Sequence, residues 1–289
     1  EEDAQPIALW SMVTVFLAKP EGGVRPIHLL AFAMRRWSRI RQPLVAKLEE
    51  GLKDQEHFWG TASTPCDMAG MISSLVTCDA RKAGLAQGAE LLDLAKFYEH
   101  VSHKELRREG QAAGFPEELL RLLCISYRMP RRAKWGEAIS HELEVNGSLA
   151  AGCSCATAMA KLMMHKTLVM LARAYPLVRY QNVVDDVMVQ AVGRASEVRR
   201  QLPEAMIRLV TELEAKDLVV AWHKTKYMAG DEETAEAMKQ ECLDSGLERG
   251  RVPEPGTGAA TPTTGAGGGQ ESRTRGRRRR QRRQGECRC

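Results

Sequence analysis

Asp185 and Asp186 stand side by side inside Asn182-Val-Val-Asp-Asp-Val-Met-Val189, an otherwise apolar stretch. Two adjacent carboxylates in a strand context are costly, because like charges repel and strand interiors disfavour aspartate. A tight turn relieves the backbone cost, and a bound divalent cation relieves the charge. A second apolar run, Leu91-Leu92-Asp93, carries a single acid. Three carboxylates meeting from two neighbouring elements would make a two-metal site, with ions about 3.5–4 Å apart clamping the attacking and leaving oxygens of a phosphoryl transfer. The plainer alternative makes Asp185-Asp186 a polar hairpin turn and Asp93 a strand-end cap. Composition by itself favours the plainer one.

The elements that must position these acids read as an α+β pattern, without the regular βαβ alternation of a doubly wound sheet. Met12–Leu17 and Val24–Leu30 are β-rich runs on either side of the turn Pro20-Glu-Gly-Gly23. A helix is expected over Ala31–Gln42, bearing Arg35, Arg36, Arg39 and Arg41 and stopping before Pro43. Thr64-Pro65 has the form of a helix start, with the helix running to about Ala83 and Gly84 just past its end. Leu91–Leu94 is a short strand, and Pro116–Tyr127 a helix with leucines at helical spacing. Arg128, Arg131, Arg132 and Lys134 follow on an extended stretch. Cys153–Ala174 is apolar enough for a buried helix, and Val178–Val189 reads as a hairpin with Asp185 and Asp186 at its turn. Ser196–Ala215 is amphipathic, with Pro203 offering a break, and Leu218–Met228 is a last strand pair.

Composition bounds the rest. The 289 residues are 44% hydrophobic and 27% charged, which excludes a wholly disordered chain. No apolar run reaches the ~20 residues of a membrane helix; Ala8–Ala18 is broken by Ser11 and Thr14, and no signal peptide is visible. Eight cysteines without a CxxC point to reduced, mostly buried thiols. His100-Val-Ser-His103 lacks a second ligand cluster, His141-Glu142 lacks the second histidine of a zinc protease, and no phosphate-binding glycine loop is present. Charge is segregated: residues 244–289 hold eleven arginines against five acids, while the rest of the chain carries 31 basic and 32 acidic groups. That tail is expected to be disordered, for want of apolar surface to offset its ordering entropy. Its run Arg273–Arg283 suits polyphosphate binding or a nuclear address, or is a solvated low-complexity end.

Taken in order, the pieces resemble the reverse transcriptase (RNA-directed DNA polymerase) family of retroelements. Lys19-Pro-Glu-Gly-Gly-Val-Arg25-Pro-Ile27 is similar to the family's fingers segment, and Asp93-Leu-Ala-Lys-Phe-Tyr-Glu-His-Val101 to its first palm motif. Ser148-Leu-Ala-Ala-Gly-Cys-Ser154 resembles the glycine-centred motif before a helix, and Val183-Val-Asp-Asp186 the Tyr-x-Asp-Asp box. Leu218–Tyr227, with Lys224-Thr225, resembles the motif that follows. The resemblance spans about residues 12–230. It implies a right-hand fold whose antiparallel palm sheet packs on helices: fingers over 1–90, palm over 91–243, the thumb absent or truncated, and the basic tail over 244–289.

The resemblance also implies roles. Asp93, Asp185 and Asp186 would hold two Mg²⁺ ions for attack of a DNA primer's 3′-hydroxyl on a deoxynucleoside triphosphate along an RNA template. Lys19 and Arg25 would grip the triphosphate. Tyr98 would lie under the incoming sugar and exclude a 2′-hydroxyl, and Gly152 would let backbone approach the nascent base pair. Lys224 would face the departing pyrophosphate. The Arg35–Arg41 helix and the Arg128–Lys134 stretch would track nucleic-acid phosphates. No membrane partner is expected.

Two departures stand out. Val183 replaces the usual aromatic, and Ala150-Ala151 replaces a common Pro-Gln pair. They keep open a second reading, a catalytically decayed nucleic-acid-binding remnant of a retroelement polymerase. A viral RNA-dependent RNA polymerase is disfavoured by Tyr98 and by the lack of glycine before the aspartate pair.

Overall fold

The computed structural model describes residues 11–20, 22–52, 57–60 and 64–244, all within one compact unit. Past Asp244, the expected basic tail lies outside the described residues.

The first sheet begins with the expected hairpin, β1 (Met12–Ala18) antiparallel to β2 (Val24–Leu29). Pro26 cannot donate to a ladder, and β2 is an edge strand, where that is tolerated. On its other side β1 pairs in parallel with β4 (Arg131–Trp135), which turns back into the two-residue β5 (Ala138–Ile139). The order is β2-β1-β4-β5. A cut between residues 90 and 91 therefore does not separate the two sheets.

The second sheet is wholly antiparallel, in the order β6-β7-β3-β8, from β6 (Val178–Val183), β7 (Asp186–Gly193), β3 (Ala86–Asp93) and β8 (Lys226–Ala229). Period-two alternation sorts its faces. Val187, Val189 and Ala191 are buried with Leu92 in the main core. The same face meets α7 (Ala195–Glu214) and α8 (Glu232–Asp244): a Cβ at Gly88 would come within 2.6 Å of Leu202 and 3.2 Å of Met238. On the opposite face Gln190 bonds Ser73 and Thr77 of α2 (Cys66–Lys82). Helix α6 (Ala156–Ala174) lies against β6 and α7, and α4 (His103–Ala112) against α6 and α5 (Glu117–Tyr127). Among the described residues no helix is long and apolar enough to cross a membrane.

Several elements differ from the sequence-based expectation. Helix α1 (Phe32–Leu52) runs through Pro43. An interior proline costs about 3 kcal/mol. Beyond it, however, Val45 and Leu52 are buried, and Glu49 pairs at 2.7 Å with buried Lys161 of α6. Helix α7 likewise runs through Pro203, because its apolar face continues from Val198 and Leu202 to Met206 and Leu209. Pro65, not Thr64, is the N-cap of α2; the Thr64 hydroxyl bonds the Phe58 carbonyl at 3.3 Å instead. Strand β3 starts five residues earlier than the apolar run suggests, taking in Gln87 and Glu90. The last expected strand pair reduces to β8 and one bridge between Leu94 and Val220.

Candidate active site

Asp93 ends β3 and Asp186 begins β7, and the register sets them directly opposite each other. Paired residues of an antiparallel ladder share a face, with Cα atoms about 4.5–5.5 Å apart. Asp185 precedes Asp186 in the turn, together with Val184; only Val184 and Asp185 separate the paired residues Val183 and Asp186. The acids thus do not share the turn as expected, since Asp186 is the first residue of the strand.

This turn is held tightly. Val184 lies at φ 60°, a strained region for a β-branched residue. Buried Asn182 clamps it: its side-chain amide donates to the carbonyls of Val184 and Asp186, each at 3.2 Å. The Leu94 amide donates to the Asp185 carbonyl at 3.2 Å, tying the turn to the end of β3. The Ala221 amide donates to the Asp93 carbonyl at 2.8 Å, adding the segment that carries Lys224.

Charge is concentrated here. Burial raises the Asp186 carboxyl above the usual aspartate range, the neighbouring Asp185 and Asp93 carboxylates raise it further, and Lys224 partly opposes them. The Lys224 ammonium lies 3.3 Å from both carboxylate oxygens of Asp93. Among the described residues no three acidic, histidine or cysteine side chains are gathered as a ready cage for an ion. The donor set nonetheless suits a hard divalent cation, being three carboxylates in excess of nearby positive charge.

Tyr98 joins this cluster from α3 (Phe97–His100), a single turn entered through Lys96 at φ 48°. Burial pushes its phenol up, a hydrogen bond with Thr157 of α6 pulls it back, and the Asp185 charge pushes it up again. The phenol therefore has Thr157 of α6 and the Asp185 carboxylate among its neighbours, and its ring lies edge-to-face with Phe97 at 6.0 Å. Its carbonyl accepts the Leu149 amide at 2.7 Å.

Gly152 lies at φ 115°, and a Cβ there would stand 2.6 Å from the His28 carbonyl oxygen of β2. The requirement for glycine is thus met within the fold. The His28 amide returns a bond to the Ala151 carbonyl at 2.7 Å, strapping this loop to the first sheet. Of the alanine pair, Ala150 is fully buried. Lys19 and Arg25 sit at the tip of the β1–β2 hairpin, where the Lys19 amide donates to Gly23 at 3.1 Å and Arg25 is exposed. Their link to the acids is a backbone path: β2, the 148–152 loop, then Tyr98.

One cation expected to track phosphates is engaged elsewhere. Arg131 is buried and turned inward, donating to Ser148 Oγ at 2.6 Å, to the Tyr127 carbonyl at 3.1 Å and to His28 Nε2 at 3.2 Å. His28 Nδ1 then donates to Thr14 at 2.9 Å. Burial and the Arg131 charge lower the His28 pKa to about 4. The Ser148 carbonyl accepts from His103 at 2.7 Å. Arg35, Arg36, Arg39, Arg41, Arg128, Arg132 and Lys134 are exposed. Asn182 and this junction lie outside the residues that the sequence marks for chemistry; an asparagine at the border of the apolar run that leads into the acid pair is the local signal for the former.

The two sheets packed on helices are similar to the palm and fingers of telomerase. An apo telomerase from Candida tropicalis, truncated from the C-terminal domain, aligns with a TM-score of 0.55 and 12% identity over 78% of this chain and 51% of that chain. Telomerase from Candida tropicalis in complex with a TWJ fragment of telomeric RNA aligns at 0.58 and 11%, over 78% of this chain and 41% of that chain. Its Candida albicans counterpart, also with a TWJ fragment, gives 0.56 and 13%, over 78% and 43%. The chain thus spans about half, or less, of the length of these structures, and at such identity the likeness is one of fold. No curated protein matches the sequence significantly. The family model for "Reverse transcriptase (RNA-dependent DNA polymerase)" matches residues 17–254. Since that match takes in the acid-bearing turn, the strands on either side of it and most of the chain, the protein belongs to the reverse transcriptase family.

Proposed function

We propose that this chain is the polymerase core of a non-LTR-type retroelement, or a fragment of one, and that it catalyses RNA-templated DNA synthesis. The observation that carries the reading is the register of β3 and β7, which faces Asp93 with Asp186 one residue beyond Asp185. Asp93, Asp185 and Asp186 would hold two Mg²⁺ ions. Bound there, the metal supplies charge neutralisation at the phosphoryl group and a more acidic primer hydroxyl.

The chain's own residues do the rest. Asn182 fixes the turn, so that two carboxylates reach the substrate without a search. Tyr98, braced by Thr157, presents its ring where a 2′-hydroxyl would collide. Lys19 and Arg25 reach the triphosphate from the fingers hairpin on long, permanently charged side chains. The Gly152 loop joins that hairpin to the site. Lys224 stands on the leaving-group side, where its ammonium steadies pyrophosphate. The telomerase solved with an RNA fragment supports RNA as the template, and the family supports a DNA primer and deoxynucleoside triphosphates as the other partners. The arginine run 273–283 fits a nuclear address.

Primer extension on an RNA template with Mg²⁺ tests the proposal. Wild-type protein extends the primer, and Asp185→Asn, which keeps the side-chain shape, loses at least about 10³-fold. Primer–template binding without extension in either protein would favour the decayed remnant, for which Val183 and the buried Ala150 speak.

A further inference from the structure

The contact between Lys224 and Asp93 has a direction to it. The ammonium is equidistant from both carboxylate oxygens, at 3.3 Å, so it engages both atoms with which that acid could bind an ion. It is also tethered. The Lys224 amide donates to the Ala221 carbonyl at 2.8 Å, and the Ala221 amide to the Asp93 carbonyl at 2.8 Å, so a short hydrogen-bonded loop starts and ends on one residue. The pair is open to solvent, with side chains 52% and 25% exposed, and the ammonium can therefore leave without unpacking anything.

We infer that Lys224 is a resident counter-ion of the acid cluster, which a divalent cation must displace from Asp93. A divalent ion coordinated by Asp93 needs the oxygens the ammonium covers, and two cations at that distance repel. Metal loading then frees the ammonium to meet the departing phosphates of the proposed reaction. Filling the site and deploying Lys224 become one event. Lys224 thus acts first as a positioning residue for Asp93. The inference rests on reading the three acids as the metal site.

Calorimetric or paramagnetic titration of the full-length chain with Mn²⁺, without nucleic acid or nucleotide, tests it. Lys224→Gln binds Mn²⁺ about 3- to 10-fold more tightly than wild type, as expected for losing a partly solvated cation near the ion. Lys224→Arg, which keeps the charge, stays near wild type, and Asp185→Asn binds more weakly. If Lys224→Gln binds no more tightly while Asp185→Asn still weakens binding, the counter-ion inference falls and the metal site stands. If wild type shows no saturable binding, or Asp185→Asn leaves it unchanged, the metal-site reading falls and takes the inference with it.

Discussion

Two hairpins carry the charges of the proposed site and are built in opposite ways. The β6–β7 turn presents acids on short side chains, with a β-branched residue in a left-handed conformation and a buried asparagine bonding two of its carbonyls. The β1–β2 turn presents cations on long side chains, with Gly22 and Gly23 at positive φ and nothing within 4 Å of where their Cβ atoms would be. Carboxylates that share ions must be fixed to fractions of an ångström, because ligand distances are short and repulsion among them is steep. A lysine or arginine meeting a phosphate is forgiving, since the side chain supplies the reach. Rigidity lies where the proposed chemistry would demand it.

That contrast can be attacked from both sides. The base of the cation hairpin is as tight as its tip is open: Gly152→Ala drives a Cβ into the His28 carbonyl from a strained φ, and should cost about 2–4 kcal/mol in denaturant unfolding. At the acid tip, Asn182→Ala leaves two carbonyls without their donor. It should cost about 2 kcal/mol and, by letting the carboxylates drift, lower primer extension on the order of 10- to 100-fold with primer–template binding retained.

Beneath the acids, Glu90 is buried on β3, and burial pushes its carboxyl from an ordinary 4.5 up to about 8. Between those values the folded protein keeps a proton that the unfolded chain has lost. Stability therefore falls as pH rises through that window and levels off above it. Glu90→Gln should abolish the slope, matching wild type near pH 4.5 and exceeding it by roughly 4 kcal/mol at pH 8 in thermal or denaturant melts. Smallest of all, Gly23→Ala meets empty space and bears only the strain of its left-handed φ, about 1 kcal/mol. A loss there as large as at Gly152 would erase the distinction between the hairpins.

The acids are conspicuous because carboxylates in apolar strands demand a reason; composition by itself still favours a polar turn and a strand-end cap, and it is the order of the motifs, through the family resemblance, that implies a metal site at Asp93, Asp185 and Asp186. The turn residues of β1–β2 and the helical spacing of α5 were legible for local reasons. What escaped was decided by partners far along the chain. Pro43 and Pro203 are local stop signals, overruled by burial on both sides of each. Arg131 reads as a surface cation in a basic run, yet Thr14, His28 and Ser148 complete a polar pocket for it. Helix α8 does carry a local mark at its start. Asp231 accepts the Thr234 amide at 2.7 Å and its hydroxyl at 2.9 Å, as an N-cap aspartate does.

The parallel pairing of β1 with β4 also bears on how the chain is made. Its two partners, Met12 and Arg131, are roughly 120 residues apart. At about 5–20 residues per second, translation leaves the first hairpin waiting on the order of ten seconds for the strand that covers its inner edge. An uncovered strand edge is an invitation to the wrong neighbour. When β4 does arrive, it brings Arg131 to His28 in the same stroke, so the sheet and its buried junction close together or not at all.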